Sequence, residues 1–278
     1  MADHVSGKSI VITGAGGGFG RLVALKAAAR GAKVTLGDIN SEAVEAVAEE
    51  IRVAGGVAEA KSADVRDLAQ VKALVGAALA RFGAVDVMLN NAGIMPLAFI
   101  ADHEAAYSSW ERCIDINIKG VLNGMVAAHD AMIAAGRGHV INVSSIYGNF
   151  PVTGAAVYGA SKAAVNFLSE SLRVESRGKI KVTTIKPTGV PTTGLGSTVV
   201  NQAASVGILG QNTPDFMDMV KQMQAGTFPA ERLSPENIDY ASLAPDYIAD
   251  AILHAIDQPW GVSIGEITIR AAGDHFIL

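Results

Sequence analysis

Short aliphatic and β-branched runs alternate with longer stretches of helical periodicity along most of the chain. The runs predict strands at 9–13, 33–38, 57–64, 85–90, 139–145, 179–187 and 262–270. The stretches between them predict helices at about 18–30, 41–55, 67–83, 107–135, 155–176 and 244–256. Strands separated by helices of this length cannot pair as hairpins, so we expect a parallel sheet with helical crossovers. The predicted fold class is α/β, with a doubly wound sheet.

The segment 188–243 interrupts this alternation. It is rich in Gly, Thr, Ser and Pro, and its one short amphipathic stretch lies at 216–223. A long irregular segment inside a compact domain is usually a functional lid or a disordered insertion. Because no repeat or low-complexity tract divides the rest of the chain, we predict a single domain over 1–278, with about 188–243 as a substrate lid.

The composition argues against several classes of function. The chain has 278 residues, of which 50% are hydrophobic and 18% charged, and a formal net charge of −5. Without a cluster of Lys and Arg, we expect binding neither to nucleic acid nor to an acidic membrane. Cys113 is the one cysteine, and the six histidines lack metal-ligand spacing, so we expect no disulfide and no metal site and histidines that are solvated or capping. No apolar run reaches the roughly 18 residues of a membrane span, and the first ten residues lack the apolar region of a signal peptide, which favours a cytoplasmic protein.

A glycine-rich turn, TGAGGGFG at 13–20, joins the first predicted strand to the first helix. Such a turn presents backbone N–H groups and the positive end of a helix dipole to a pyrophosphate. Gly14 would form the tight turn, Gly18 would admit the pyrophosphate, and Gly20 would allow close helix–strand packing. Phe19 lies within the same turn. Glycine-rich turns also occur wherever chains bend, so it is the position between strand and helix that favours a dinucleotide site.

Asp38 stands at the end of the second predicted strand, where an acidic side chain would meet the adenosine ribose. A carboxylate accepts hydrogen bonds from ribose hydroxyls, but it repels a 2′-phosphate by roughly 4 kcal/mol at about 4 Å in an effective dielectric of 20. We therefore predict NAD rather than NADP as the cofactor. The alternative is that Asp38 serves the cap of the helix at 41, for which Ser41 is also a candidate.

Tyr158 and Lys162, in YGASK at 158–162, lie four residues apart and so on one face of a predicted helix. A phenol with a pKa near 10 is a poor base at neutral pH, but an adjacent ammonium stabilises the phenolate. The pair is therefore a candidate proton donor and acceptor.

Further motifs follow these in a fixed order: Asp64-Val65 after the third strand, NNAG (90–93) after the fourth, Asn117, Ser145 thirteen residues before the tyrosine, and PTGVPT at 187–192. Taken together, the sequence resembles the short-chain dehydrogenase/reductase family over nearly all of its length. The resemblance implies a Rossmann-type dehydrogenase with a catalytic tetrad of Asn117, Ser145, Tyr158 and Lys162.

The resemblance also implies a role for each member of the tetrad. Tyr158 would exchange a proton with the substrate oxygen, and Ser145 would hydrogen-bond the same oxygen. Lys162 would lower the pKa of the tyrosine and hold the nicotinamide ribose. Asn117 would interrupt a helix and seat a water that links Lys162 to solvent.

The binding residues that the resemblance implies form two sets. The cofactor set is Gly14, Gly18, Phe19, Gly20, Asp38, Asp64, Val65, Asn91, Ala92, Gly93, Tyr158, Lys162, Pro187, Val190 and Thr192. The substrate set is Ile94, Met95, Ser145, Ile146, Tyr147, Phe150, Val152 and Tyr158. Since the second set is mostly apolar, we expect a neutral, fairly hydrophobic secondary alcohol or its ketone as substrate. Thr188 replaces the glycine that the family usually has after the sixth strand, which leaves the path of the following loop open.

Two other functions remain as alternatives. An epimerase or dehydratase also uses Tyr-x-x-x-Lys, usually with a different glycine spacing and a longer C-terminal substrate domain. A non-catalytic dinucleotide sensor would be expected to lack part of the tetrad. The resemblance further implies a homodimer or homotetramer formed by the helices at about 107–135 and 155–176.

Overall fold

Seven parallel strands form the centre of the computed structural model, which describes residues 3–190 and 193–277. The strands are β1 (Ser9–Thr13), β2 (Lys33–Asp38), β3 (Val57–Ser62), β4 (Val87–Asn90), β5 (Gly138–Val143), β6 (Ile180–Pro187) and β7 (Glu266–Ile269). Their order in the sheet is β3-β2-β1-β4-β5-β6-β7, and every neighbouring pair is parallel. The fold is therefore the predicted Rossmann-type α/β fold.

Helices cover both faces of the sheet. They are α1 (Gly18–Ala29), α2 (Ser41–Val53), α3 (Leu68–Phe82), α4 (His103–Cys113), α5 (Gly120–Ala134), α6 (Ala156–Glu175), α7 (Thr213–Ala225) and α8 (Pro245–Ile256). One core is formed by α1, α2 and α8 on one face, and a second by α3, α5 and α6 on the other. β1 serves both, because Ile10 and Ile12 belong to the first core and Val11 to the second.

The order of the strands reverses between β1 and β4, which are neighbours at the centre of the sheet. From β1 the chain proceeds outward to β2 and β3, and from β4 it proceeds the other way to β7. At such a point the loops after the two central strands diverge and leave a crevice at the carboxyl edge of the sheet. This crevice is where the predicted site residues of the loops after β1 and β4 meet.

Several boundaries differ from those expected. Asn40, not Ser41, caps α2, because its side-chain oxygen accepts a hydrogen bond from the Ala43 N–H at 3.0 Å. The helix expected at 107–135 is divided into α4 and α5 by a π-helical turn at Ile114–Lys119. The last strand is short, four residues instead of nine, and pairs with β6 alone.

The predicted lid is only partly irregular. It contains α7, which begins three residues before the expected amphipathic stretch, and short 3₁₀ turns at Gly194–Thr198, Gln202–Val206, Gly210–Asn212 and Ala230–Leu233. Residues 208 and 209, both buried, pack on Ile146 beside the sheet. The segment is thus a packed layer over the carboxyl edge.

Two absences hold for residues 3–190 and 193–277. No helix there has both the length and the apolar character needed to cross a membrane. The same residues include no group of three or more His, Cys, Asp or Glu side chains arranged to hold a metal ion.

Two helical glycines make a matched test of this packing. A Cβ at Gly124 in α5 would lie 1.8 Å from the Oδ1 of Asn90, whereas a Cβ at Gly76 in α3 would meet nothing within 4 Å. We expect Gly124→Ala to lower the free energy of unfolding by about 1–3 kcal/mol through overpacking. Gly76→Ala should raise it by roughly 0.5–1 kcal/mol, since alanine loses less backbone entropy in a helix. Urea unfolding of both variants measures this; equal stability of the two would contradict the packing of α5 on β4.

Candidate active site

A cleft of about 850 Å³ opens at the carboxyl edge of the sheet. Its walls come from the turns after β1 to β6, from the lid, and from the residues that follow β7. Most of the residues that the sequence singled out line this one cleft, although they are spread over more than 170 positions of the chain.

The glycine turn after β1 divides into a packed part and an open part. Gly14 has a positive φ of 66°, and a Cβ there would lie 2.8 Å from the Cα of Ala92. A Cβ at Gly20 would lie 2.3 Å from the Gly14 carbonyl oxygen, so Gly20 serves helix–strand packing and does not line the cleft. At Gly17 and Gly18 a Cβ would meet nothing within 4 Å. The backbone at the start of α1 is therefore open toward the cleft, and no side chain caps that helix.

Asp38 lines the cleft at the end of β2. Its Oδ2 accepts a hydrogen bond from the Gly16 N–H at 3.0 Å, and its Oδ1 accepts one from the Asn40 N–H at 2.9 Å. Because Asn40 caps α2, the alternative role of Asp38 as the cap itself is wrong. The carboxylate instead ties the glycine turn to the end of β2.

The turn after β3 brings Asp64 and Val65 to the same end of the cleft. The Arg66 guanidinium pairs with Asp64 at 2.6 Å and holds the pKa of that carboxyl below its ordinary value. Asp67 caps α3 by accepting a hydrogen bond from the Ala69 N–H at 2.8 Å.

Three of the four predicted tetrad residues lie together at the other end of the cleft. Tyr158 and Lys162 project from α6, and Ser145 follows β5. Tyr158 is only 3% exposed, and its ring meets that of Tyr147 edge to face with 5.4 Å between the centroids. The Lys162 ammonium donates a hydrogen bond to the Val143 carbonyl at 2.9 Å and lies 5.8 Å from the centre of the Tyr158 ring.

Burial controls the ionisation of this group. It raises the pKa of Tyr158 well above its ordinary value, and the opposing effect of the Ser145 hydroxyl is smaller. It also lowers the pKa of Lys162 to about 8. Desolvation disfavours the charged form of both side chains, so the net pKa of Tyr158 lies above its ordinary value, and a lowering of that pKa by Lys162 stays a prediction. At neutral pH Tyr158 is a protonated phenol.

Asn117 lies apart from the cleft, in the π-helical turn, and is fully buried. Its carboxamide pairs with the backbone of Ile94 at both ends: Oδ1 accepts from the N–H at 3.0 Å and Nδ2 donates to the carbonyl at 2.9 Å. Nδ2 also donates to the Ser161 Oγ at 3.1 Å. Asn117 interrupts the helix as expected, and it fixes the chain that follows Gly93.

Most of the remaining predicted binding residues also line the cleft. Besides Gly14, Asp38, Asp64, Val65, Ser145, Tyr158 and Lys162, those that line the cleft are Gly18, Phe19, Asn91, Ala92, Gly93, Ile94, Met95, Tyr147, Pro187 and Val190. Thr192 lies outside the described residues. Thr188 does not need a left-handed backbone, since no non-glycine among the described residues has a positive φ, and its N–H donates to the Ile269 carbonyl at 3.2 Å.

Three predicted substrate residues do not line the cleft. Ile146 is turned under the lid by a 3₁₀ turn at Ile146–Gly148 and packs on Ile208 and Leu209. Val152 belongs to the same apolar cluster, and Phe150 is exposed to solvent outside the cleft. Because of this 3₁₀ turn, Tyr147 lines the cleft and Ile146 does not.

Residues 8–203 match the sequence model of the short chain dehydrogenase family. This match covers well over half of the 278 residues. The chain belongs to that family. Short-chain dehydrogenases are oxidoreductases, and the order of the motifs from the glycine turn to YGASK is now explained by common descent.

Known relatives agree with this assignment. An uncharacterized oxidoreductase of Listeria monocytogenes is 36% identical over 271 residues, which is 95% of this chain and 96% of that protein. A Burkholderia phymatum short chain dehydrogenase/reductase, solved in complex with NAD, is 28% identical with a TM-score of 0.74, over 96% of this chain and 90% of that one. A metagenomic short-chain oxidoreductase, solved with NADP, is 29% identical with a TM-score of 0.72, over 96% of this chain and 98% of that one.

Several residues that line the cleft of this short-chain dehydrogenase were missed by the sequence reasoning. They are Ile39, Arg66, Leu97, Arg112, His275 and Phe276, and, within the predicted lid but not singled out individually, Leu195, Ser205 and Phe216. Phe216 lies in the predicted amphipathic stretch, which is the one signal that indicated it. The histidines were expected to be solvated or capping; for His139 this is wrong, because it is buried and its ring forms a hydrogen bond with the Thr183 hydroxyl at 2.8 Å, whereas His275 is half-buried. The position of His275 after the last strand contains no local pattern that shows the chain turning back to the cleft.

Proposed function

We propose that this short-chain dehydrogenase interconverts a neutral, fairly hydrophobic secondary alcohol and its ketone, with NAD(H) as cofactor and Tyr158 as the general acid and base. One observation carries the proposal: the Tyr158, Lys162 and Ser145 side chains lie at one end of a cleft whose other end is formed by the glycine turn and Asp38. Such a cleft suits a dinucleotide whose reactive ring reaches the tyrosine.

The cleft residues fit a dinucleotide at three points. The open backbone at Gly17 and Gly18 and the uncapped start of α1 suit a pyrophosphate. Asp38 lines the same part of the cleft, where its carboxylate would accept hydrogen bonds from the adenosine ribose. Lys162 has one hydrogen bond to the described residues, although an ammonium carries three donors, so it has N–H groups left for the nicotinamide ribose.

The residues of the chain supply the proton chemistry. The nicotinamide, when bound, supplies or accepts the hydride. Tyr158, protonated at neutral pH, donates its proton to the carbonyl oxygen during reduction and removes one from the alcohol during oxidation. Ser145 donates a hydrogen bond to the same oxygen and stabilises its developing charge. Lys162, buried beside the tyrosine, favours the phenolate that remains after proton transfer.

Asp38 favours NAD over NADP in this proposal. A 2′-phosphate on the adenosine ribose would approach its carboxylate, and like charges repel. Arg66 also lines this part of the cleft, but its guanidinium is already paired with Asp64. No unpaired guanidinium is thus offered by this turn to a 2′-phosphate.

The substrate side supports an apolar ligand. Beyond Ser145 and Tyr158 the wall consists mainly of apolar side chains: Ile94, Met95, Leu97, Leu195, Phe216 and Phe276. Such a wall gains free energy by burying hydrocarbon, and none of these six side chains could pair with a carboxylate or phosphate. The alternatives, an epimerase or dehydratase and a non-catalytic sensor, predict no net turnover of alcohol or ketone with the cofactor.

We also propose a homo-oligomer built on the long helices. Ile114, Ile118, Leu122 and Val126 repeat every four residues along the π-helical turn and α5, and three of them are among the exposed large apolar residues. On α6, Phe167 is 76% exposed. A second copy of the chain is the occupant that would bury these rows.

Replacement of the tyrosine tests the catalytic proposal. Tyr158→Phe should reduce kcat for ketone reduction by about 10²- to 10⁴-fold, because a positioned proton donor is lost. NADH binding, followed by fluorescence titration, should remain nearly unchanged. Tyr107→Phe, at an exposed position on α4, is the control and should keep full activity. In the wild type, alcohol oxidation should rise with pH above neutrality, since it requires the phenolate of a tyrosine whose pKa is raised. Retained turnover in Tyr158→Phe would refute this role.

Asp38→Asn tests the choice of cofactor. The amide removes the negative charge and keeps one acceptor oxygen, which can serve either the Gly16 N–H or the Asn40 N–H. We expect the ratio of kcat/KM for NADP to that for NAD to rise at least about tenfold, which corresponds to roughly 1.4 kcal/mol. Glu42→Gln, an exposed charge removed on α2, should leave the ratio unchanged. If both variants keep the wild-type ratio, another residue selects the cofactor.

Phe167→Glu tests the proposed oligomer. A charge in the centre of an apolar contact is costly to bury, so the variant should dissociate into smaller species in analytical ultracentrifugation. Ile238→Glu, at another strongly exposed apolar residue, is the control and should sediment as the wild type. A wild-type protein that sediments as a monomer would disprove the proposal.

A further inference from the structure

Residues 271–277, here the C-terminal strap, turn back from β7 across the lid. The Ile277 N–H donates a hydrogen bond to the Ile208 carbonyl at 3.0 Å. Asn212 Nδ2 donates to the His275 carbonyl at 3.0 Å, and the Gly273 N–H donates to the Tyr240 carbonyl at 2.9 Å. The strap is therefore bonded to the lid on both sides of α7.

An ion pair stabilises the turn at the start of the C-terminal strap. Arg270, at the end of β7, pairs with the Asp274 carboxylate, whose side chain is only 2% exposed. Asp274 Oδ1 also accepts a hydrogen bond from the Phe276 N–H at 3.2 Å, and Arg270 donates to the Phe276 carbonyl at 2.8 Å. These bonds fix the backbone on both sides of Phe276, so the direction of its side chain is determined by the turn.

The Phe276 ring lies between the end of the sheet and the lid. A Cβ at Gly189, two residues after β6, would lie 2.2 Å from this ring. The ring belongs to an apolar cluster with Ile208 and Phe216, and it lines the cleft. Glycine at 189 thus admits an aromatic wall close to the residues that follow Pro187.

His275 adds a polar group to this wall. Its ring meets Phe216 edge to face, with 6.0 Å between the centroids, and lines the cleft. Its Nδ1 is buried and has no hydrogen-bond partner among the described residues. An atom this buried cannot reach a ligand in the cleft, so the ring nitrogen available to one is Nε2, which is not among the buried unpaired atoms and has no hydrogen bond to the described residues.

We propose that the C-terminal strap determines substrate specificity: Phe276 limits the size of the apolar group beside the reacting carbon, and His275 binds a second polar group of the substrate. The inference rests on the proposed alcohol and ketone chemistry. It assigns the substrate class as ketones, and their alcohols, that carry one compact apolar substituent and one additional hydroxyl or carbonyl oxygen. Tyr147 supports the placement, because it belongs to the Phe276 cluster and also contacts Tyr158.

The size limit is tested with ketones of increasing bulk and NADH. In Phe276→Ala, the ratio of kcat/KM for a bulky ketone to that for a small one should rise at least about tenfold, the effect of one or two methylenes in a pocket. Phe276→Leu opens less space than Phe276→Ala, so it should raise this ratio less. It also disturbs the packing less, and so provides a test if Phe276→Ala does not fold. Phe150→Ala removes an exposed ring outside the cleft and should leave the ratio unchanged. An unchanged ratio in both Phe276 variants would overturn the proposal.

The polar contact is tested with a hydroxyketone and the simple ketone of matched size. His275→Leu should lower the preference for the hydroxyketone about tenfold, and His275→Gln should restore part of it, because a hydrogen-bonding site rejects an analogue that cannot pair. Equal preference in all three proteins would remove His275 from the proposal.

Failure of the specificity proposal can be separated from failure of the proposed function. Binding of the same ketones to the NADH complex of Tyr158→Phe is measured by calorimetry, which needs no turnover. Size-dependent binding that changes with Phe276 supports the strap even if the wild type reduces none of the ketones. Turnover by the wild type with no effect of Phe276 or His275 refutes the strap alone.

Discussion

The contact between the turns after β1 and β4 is the constraint on which the site depends. Asn91 donates from its side chain to the carbonyls of Thr13 and Gly14, each at 3.0 Å, and Gly14 allows the two backbones to meet. Any side chain at 14 would separate the loops at the point where the order of the strands reverses. The cleft begins at this contact, because the two loops diverge from it. The contact therefore fixes where the cleft lies on the sheet.

A second constraint is the burial of the Tyr158 and Lys162 side chains of α6. The tyrosine and the lysine are buried at the closed end of the cleft, where the pKa of one is raised and that of the other lowered. Asn117 contributes from outside, because its two bonds to Ile94 hold the loop that covers them. Both side chains are therefore largely withdrawn from solvent, although both still line the cleft.

The sequence predicted those features that arise from local pattern. The strands, the glycine turn and the Tyr158–Lys162 spacing depend on residues that are close in the chain, and they were placed correctly except for the bounds of β3 to β7. The direction of Ile146 was not predictable, since it depends on a 3₁₀ turn and on the lid that covers it. His275 and Phe276 were missed because their role depends on a tertiary contact with Gly189 and α7. The pKa of Tyr158 likewise follows from burial, which no pair spacing reveals.

The buried lysine also links the site to the thermodynamics of the whole fold. In the unfolded chain Lys162 titrates near its ordinary value of 10.5, and in the folded chain near 8. Between these values the unfolded state binds more protons, so the penalty that this group imposes on folding diminishes as pH rises through that window. Below it, both states are charged and the full cost of a desolvated ammonium opposes folding. At neutral pH the buried Lys162 ammonium therefore lowers the free energy of unfolding. The two packed cores have to offset this cost.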